Sequence, residues 1–269
     1  MTSATIRKIM LAPVLRIVDQ AGGILGLLIY SLAEAVQLGK PDTDVVYEET
    51  VKQVYFSGVT TVPLIAVMSL ALGIGINLSA SAASNFLSAE MVSNLIITVI
   101  LREGGPLLTA IILISRSGTA ISAEIGAIVI GHELEALESL GVDPLRLITL
   151  PRIIGMMISM MVLNLLFTAI GIFGGLIVSA MLNPAVSFLS FVDTFFTYLT
   201  YADLFINVLK SLILGALVSV TSVYYGFKIR GATSAIAIAA QKGVMSGFLW
   251  VFIFDIIISV LFYVSGGGK

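Results

Sequence analysis

Two charged residues, Arg102 and Glu103, lie at the middle of the apolar run 91–115, which is long enough to cross a bilayer. An ionised side chain at the bilayer centre costs about 3 kcal/mol on insertion scales, so such residues usually face the protein interior or a water-filled cavity. Adjacent residues point to different faces of a helix, so these two are not expected to satisfy only each other. Because arginine binds phosphate well, we interpret the pair as a lipid headgroup or cavity site; an ion pair holding helices together is the alternative.

A third intramembrane charge, Asp255, lies at the centre of the last apolar run, and Lys210 lies near the start of the run before it. A polar contact between helices, with Lys210 or a backbone donor as the partner, is the favoured role for Asp255. Proton carriage is the alternative, and together with Glu103 it would make the chain a proton-coupled secondary transporter. The sequence has no visible internal inverted repeat, which is common in such transporters.

The composition predicts an all-α integral membrane protein. Of 269 residues, 58% are hydrophobic and only 11% charged, against about 25% charged in soluble domains, and the mean hydropathy is +1.09. The absence of cysteine excludes disulfides and thiolate chemistry, and one histidine, His132, excludes a histidine-rich metal site within one chain. With a net charge of −2 and no basic tract, no nucleic-acid partner is expected.

The sequence contains no catalytic motif. The phosphate-binding pattern G-x-x-x-x-G-K-[ST] is missing, and the terminal stretch 266–269, Gly-Gly-Gly-Lys, lacks the final Ser or Thr. The stretch 115–118, Ser-Arg-Ser-Gly, lacks the first glycine of a nucleophile motif. We therefore expect a non-enzymatic chain with no catalytic residue, metal or cofactor of its own.

Five apolar runs predict five transmembrane helices, because a hydrocarbon core of about 30 Å takes about 20 helical residues. The predicted spans are residues 57–79, 91–115, 153–182, 204–227 and 243–265. They divide the chain into an N-terminal segment, 1–52, and a five-span domain, 53–269. Lys and Arg are concentrated on one side of these spans, and the loops 80–90 and 183–203 contain neither. The positive-inside rule then predicts a cytoplasmic N-terminus and a periplasmic C-terminus.

The apolar stretch 21–33 is too short to span a membrane and is closed by Glu34. Basic residues precede it, so we predict an amphipathic helix in the cytoplasmic interface. A poorly formed sixth span is the alternative.

The connection between spans two and three predicts a short acidic helix over residues 131–140, in which Leu134 and Leu137 share a face. Gly141 suits the end of that helix, and Asp143-Pro144 suits the start of the next. A solvated loop helix is one interpretation. The other is a rigid lever that presses into a motor subunit.

Small residues recur four apart at Gly171, Gly175 and Ser179, which predicts close helix packing, with a dimer seam as one possible location. Gly73 and Gly75 of span one are interpreted in the same way.

Three stretches within residues 101–152 together resemble the MlaE (YrbE) family of ABC permeases, which serve lipid transport systems that work with MCE-domain proteins. They are Leu-Arg-Glu-Gly-Gly-Pro-Leu-Leu-Thr-Ala from residue 101, SRSGTAISAEIG from residue 115 and ELEALESLGVDPLRLITLPR from residue 133. One departure from the family is Gly104, where a larger apolar residue is frequent.

The resemblance implies roles for particular residues. Arg102 and Glu103 match a pair beside the lipid cavity between two permease copies, and Phe86 falls where an aromatic side chain lines the outer part of that cavity. Residues 131–140 match the coupling helix that docks in a groove of the ATPase. The implied coupling residues are Glu133, Leu134, Glu135, Leu137, Glu138 and Asp143.

The resemblance also implies an assembly in the bacterial inner membrane. Its expected partners are a second copy of the chain, a dimer of separate ATPase subunits that bind ATP and Mg, an MCE-domain ring on the outer side and a small cytoplasmic accessory subunit. The expected cargo is phospholipid, and the chain is expected to be the multi-pass permease.

Overall fold

A computed structural model of the chain describes residues 20–31, 33–34, 43–83, 91, 95–182, 188–231 and 234–265. These residues are almost entirely helical and contain no strand. The prediction of an all-α fold is confirmed. Phe86, expected to line the cavity, lies outside the described residues.

Five helical stretches are long and apolar enough to cross a membrane, so the predicted number of spans is confirmed for the described part of the chain. The first of them, Asp44–Ser79, contains a 3₁₀ turn, Val59–Thr61, between the helices Thr43–Ser57 and Val62–Ala83. The third, Leu145–Ile177, continues through the helical residues Gly175–Leu182. In chain order the described helices are α1 (Gln20–Ser31), α2 (Thr43–Ser57), α3 (Val62–Ala83), α4 (Ile97–Ile130), α5 (Glu133–Ser139), α6 (Leu145–Ile177), α7 (Phe188–Tyr198), α8 (Tyr201–Phe227) and α9 (Ser234–Val264).

The helices extend beyond the uncharged runs that marked them in the sequence. The second spanning helix, α4, has 34 residues, about 51 Å, and continues past Arg116 and Glu124. Both side chains have partners here: Arg116 donates to Thr61, and Glu124 pairs with Arg152 at 2.5 Å. Helical residues beyond the hydrocarbon core can carry charge, so α4 continues past the predicted span 91–115 to Ile130. Arg102 lies near the beginning of its described part.

Helix α8 lies at the centre of the fold and packs against α4, α6 and α9. Its inward residues Leu214, Leu217 and Val218 are at most 3% exposed, in one cluster with Met156 and Met160 of α6. By contrast, much of the apolar surface of α3 and α9 is exposed. Exposed apolar side chains on spanning helices suit contact with lipid.

The close-packed glycine contact lies within the chain. A Cβ on Gly73 would fall 1.9 Å from the carbonyl oxygen of Gly171, and one on Gly175 would fall 2.3 Å from the carbonyl carbon of Gly73. These residues therefore let α3 approach α6 closely, as the spacing predicted, but as an intrachain contact. Gly75 has open space around it within the chain, so it takes no part in this contact, and its packing at a dimer seam stays a prediction.

The short acidic helix is present as α5, Glu133–Ser139. It ends as predicted at Gly141, whose φ is +75°; Gly141 N donates to Glu138 O at 3.0 Å and Val142 N to Leu137 O at 3.1 Å. This pair of bonds is a Schellman motif, which favours glycine at the left-handed position. Asp143 then accepts from Leu145 N at 3.0 Å and caps the first turn of α6.

The N-terminal helix α1 is about 18 Å long by its rise per residue, too short to span a membrane. Ile24 is buried against α6 and α8 in a cluster with Ile153 and Tyr224, while Ile29 is 64% exposed. One face of α1 thus rests on the bundle. Its position in the cytoplasmic interface stays a prediction.

Candidate functional site

The beginning of α4 is a π-helical segment, Ile97–Gly104, which carries the charged pair. Such wide turns disturb the regular backbone hydrogen bonding of a helix and are frequent at functional sites. Two side chains of α8 bond to carbonyls here: Asn207 Nδ2 donates to Leu101 O at 2.5 Å, and Lys210 Nζ donates to Arg102 O at 3.0 Å. Helix α8 therefore stabilises the turn that positions the pair.

Arg102 pairs with Asp203, the third residue of α8. Its Nε lies 2.6 Å from Asp203 Oδ1, and the side chains are 14% and 0% exposed. The two atoms are not aligned as a hydrogen bond, so this is a charge contact. Asp203 Oδ2 also accepts from Thr200 N at 3.0 Å, and the guanidinium lies 5.6 Å from the ring centroid of Phe262 and 6.0 Å from that of Tyr263. Arg102 is thus held between α8 and α9.

Lys210 joins three helices from a position only 1% exposed. Its Nζ lies 2.8 Å from Glu103 Oε2 on α4 and 3.1 Å from Asp255 Oδ1 on α9. It also donates to Ser259 Oγ at 2.6 Å, and that hydroxyl donates to Glu103 Oε2 at 2.9 Å. The contact between Asp255 and Lys210 is the interhelical contact that the sequence favoured over proton carriage.

We call Arg102, Glu103, Asp203, Lys210 and Asp255 the charge network. Its two cations and three carboxylates leave a formal charge of −1 when all are ionised. Burying unpaired charges is costly, whereas paired and hydrogen-bonded charges are tolerated. Four side chains are at most 14% exposed, and Glu103 is 34% exposed. The network is therefore largely neutralised inside the chain and opens outward at Glu103.

A buried amide cluster supports the network from α6. Asn164 Nδ2 donates to Asn207 Oδ1 at 2.9 Å and to Ser211 Oγ at 2.6 Å, and all three residues are fully buried. A Cβ on Gly105 would lie 2.7 Å from Asn164 Oδ1. Gly105 thus allows α4 to lie against this cluster, immediately after the π-helical segment.

Asp203 was not among the predicted site residues, because it was assigned to the outer loop, with span four starting at 204. A signal was present: Thr200 followed three residues later by Asp203 resembles the capping box that begins a helix. The amides Asn164 and Asn207 were also missed. Asparagines within apolar runs are a general indication of contacts between membrane helices.

Five of the six predicted coupling residues lie on two faces of α5, and the sixth, Asp143, follows the helix. Leu134 and Leu137 are half-buried against the main core, while Glu133, Glu135 and Glu138 are exposed. The structure thus presents an acidic face on a helix fixed by two leucines. That this face couples to an ATPase stays a prediction.

Asp143 and the start of α6 are tied to the N-terminal helix. Tyr30 donates its hydroxyl hydrogen to Asp143 Oδ2, and this bond, with burial, raises the pKa of Tyr30 to about 12. Close by, Arg146 Nη1 lies 2.8 Å from Glu34 Oε1, with both side chains less than a tenth exposed. Both Asp143 oxygens therefore have partners within the chain.

The described residues contain no group of three His, Asp or Glu side chains that could hold a metal ion. The chemistry of the charge network is ion pairing at one end of the helix bundle.

Comparison with known proteins identifies the family. Residues 50–261 match the family model described as Permease MlaE. The chain belongs to the MlaE permease family.

Several relatives agree with this assignment. The chain is 30% identical over 232 residues to the intermembrane phospholipid transport system permease protein MlaE of Haemophilus influenzae, which covers 85% of this chain and 88% of the relative. It is 31% identical over 169 residues to a probable ABC transporter permease protein of Synechocystis, covering 62% and 63%. The chloroplastic protein TRIGALACTOSYLDIACYLGLYCEROL 1 of Arabidopsis thaliana is 28% identical over 169 residues, covering 62% and 47%. This MlaE-family chain is a multi-pass membrane protein.

Proposed function

We propose that this MlaE-family chain is the permease subunit of an ABC transporter that moves phospholipid between the bacterial inner membrane and an MCE-domain partner. The observation that carries the proposal is the family match over residues 50–261, together with a relative named as a phospholipid transport permease. In this proposal, the N-terminus is cytoplasmic and the C-terminus periplasmic.

The lipid site is proposed at the open side of the charge network. Glu103 is 34% exposed on a spanning helix, and a partly exposed carboxylate within a membrane requires a polar surface, a cavity or a second charged group beside it. Two copies of the chain, related by a two-fold axis, would supply such a cavity. Arg102 keeps donor groups beyond its contact with Asp203 and would reach a headgroup phosphate.

Energy is proposed to come from separate ATPase subunits that bind ATP and Mg. The exposed face of α5 carries Glu133, Glu135 and Glu138, and its half-buried leucines would transmit force to the bundle core. The direct continuation through Asp143 into α6 makes α5 a short lever at the end of a spanning helix. Lipid would be passed to or from the MCE ring by two conformations with different affinities.

Proton-coupled transport is the alternative function. It would use Asp255 and Glu103, which both contact Lys210. Because Lys210 joins these two carboxylates of α4 and α9 to α8, the contacts hold three helices together, which favours a structural role. The ABC permease relatives favour the first proposal.

The test is purification of the tagged chain from its native membrane in mild detergent, with mass spectrometry of both proteins and lipids. We expect a stoichiometric ATPase, an MCE protein and bound phospholipid. Glu135→Gln with Glu138→Gln is expected to reduce ATPase recovery with lipid retained, and Glu103→Gln to reduce lipid with the ATPase retained.

A chain that purifies alone, and that transports lipid in vesicles on a proton gradient without ATP, would contradict the proposal.

A further inference from the structure

Three cations that pair with no carboxylate in the described part of the chain lie together where α8 turns into α9. Lys228, Arg230 and Lys242 line one cavity of about 320 Å³, within the size range of ligand sites. All three side chains are exposed. Among the described residues, none of them forms an ion pair with a carboxylate, and the sequence contains no Asp or Glu between Asp203 and Asp255. We call this site the basic cavity.

Three other described cations on the same predicted side of the membrane are paired with carboxylates, whereas Arg116 donates to the hydroxyl of Thr61. Arg146 pairs with Glu34, Arg152 with Glu124, and Lys52 with two neighbouring glutamates. The positive-inside rule explains why all these cations lie on one side of the membrane. It does not explain why some of them form an ion pair with a carboxylate of the chain and others do not. Because no described carboxylate occupies the basic cavity, its three cations are available to an external anion.

The fold holds the basic cavity in a fixed shape. Ile229 is 2% exposed, and its Cδ1 would lie 2.1 Å from a Cβ on Gly126 of α4, so it anchors the turn and leaves its two cationic neighbours facing outward. Gly231, with φ +94°, turns the chain directly after Arg230. Lys228 Nζ donates to Tyr224 Oη at 2.5 Å and lies 4.3 Å from that ring centroid.

The walls of the basic cavity are apolar below the cations. Ile238, Ala235 and Ala239 of α9 line it together with the buried ring of Tyr225. Ile238 is 55% exposed on a helix that continues into the membrane. A ligand that contacts these cations and also an apolar wall at the membrane boundary is an amphiphile with an anionic head.

We propose that the basic cavity binds the headgroup phosphate of an anionic phospholipid in the cytoplasmic leaflet, with the acyl chains running along α9. Clusters of cations between spanning helices at this boundary bind such headgroups. This site is separate from the charge network, because Lys228, directly after α8, is 18 residues beyond Lys210, about 27 Å along the helix. The inference rests on the proposed orientation, in which this end of α8 faces the cytoplasm. It does not depend on which lipid is transported.

The single tryptophan of the chain, Trp250, is a suitable reporter. It lies eight residues after Lys242 on α9, about 12 Å deeper along the helix, and packs against the cluster that contains Tyr225. A brominated acyl chain held at the basic cavity would quench its fluorescence. The full chain is reconstituted in vesicles of dibrominated phosphatidylglycerol and unlabelled phosphatidylcholine. It is then reconstituted in vesicles of the same composition in which phosphatidylcholine carries the bromine and phosphatidylglycerol does not.

In the wild type, we expect dibrominated phosphatidylglycerol to quench the fluorescence of Trp250 more strongly than its mole fraction in the vesicle would give without selective binding. Lys242→Gln is expected to lower the relative affinity about five-fold, as for loss of one cation near the surface. Lys52→Gln is the matched control, since Lys52 is exposed but already paired with Glu48 and Glu49, and it is expected to change the affinity less than two-fold.

Equal quenching by the two lipids, or equal effects of the two substitutions, would overturn the proposal. Complete loss of the preference in 10 mM inorganic phosphate would instead assign the basic cavity to a soluble anion. Loss of a co-purifying ATPase in Lys242→Gln, with quenching unchanged, would assign it to protein docking.

Discussion

The charge network and the basic cavity use the same types of side chain in opposite ways. In the network, both cations contact carboxylates of other helices, and Lys210 is 1% exposed. In the basic cavity, three exposed cations have no carboxylate among the described residues. The difference follows from solvent: a charge within the membrane must be neutralised by the chain itself, whereas a charge at the water boundary can be left for an external ligand.

This contrast also distinguishes charged residues that stabilise the fold from charged residues that bind a ligand or partner. Removing one partner of a buried pair leaves an uncompensated charge and is strongly destabilising, whereas exposed charges contribute little to stability. We therefore expect substitutions of the buried network residues to change folding first, and substitutions at the partly exposed Glu103, at the basic cavity or on α5 to change binding first.

The largest effect is expected from Lys210→Met, which leaves Glu103 and Asp255 without their shared cation. We expect a loss of about 4 kcal/mol, seen as a large drop in the melting temperature of the protein in detergent. Lys242→Met makes the same chemical change at the basic cavity and is expected to stay within about 0.5 kcal/mol of the wild type. Similar losses in both variants would remove the contrast between the two regions.

A smaller loss is expected from Arg102→Met, because Arg102 is more exposed than Lys210. It leaves the fully buried Asp203 unpaired, and we expect about 3 kcal/mol of destabilisation, measured by the same melting experiment. Adding Asp203→Asn removes the unpaired charge and is expected to restore part of the loss. A double variant as unstable as the sum of both singles would mean that the two side chains are not coupled.

Gly105→Ala tests the packing of the network without changing any charge. The new Cβ would lie 2.7 Å from Asn164 Oδ1 and from the carbonyl oxygen of Ile100, so we expect a loss of about 2 kcal/mol. Gly75→Ala is the control, because a Cβ there has open space. Equal melting temperatures for the two variants would show that α4 can move away from α6 at little cost.

The smallest effect on stability is expected from Glu135→Gln with Glu138→Gln on α5. Both residues are exposed, so the melting temperature should change by an amount that corresponds to less than about 0.5 kcal/mol. Recovery of the ATPase in the purified complex is expected to fall several-fold. Unchanged ATPase recovery would place the docking surface elsewhere.

The sequence predicted the helices well because their signals are local. Five apolar runs identified the five spans, and Gly141 with Asp143-Pro144 identified the end of α5 and the start of α6. The end of the second spanning helix was not evident from the sequence, because hydropathy detects only the uncharged part of a helix. Helix α4 continues to Ile130 through charges whose partners lie on other helices.

The partners within the site depend on tertiary structure and were predicted less completely. Lys210 was correctly named as a partner for Asp255, since both were isolated charges in apolar runs. That Lys210 also contacts Glu103, and that Asp203 neutralises Arg102, follows from the packing of α4 and α9 on α8. No spacing rule within one helix contains that information.

The most direct test of the central claim is Asp255→Asn, because it separates a charge that holds helices together from one that carries protons. Assembly is measured by the yield and melting temperature of the purified complex, and lipid transport is measured in vesicles supplied with ATP. Our account predicts less folded complex, with the transport rate per assembled complex retained. Full assembly with transport abolished would contradict the account and make Asp255 a proton carrier.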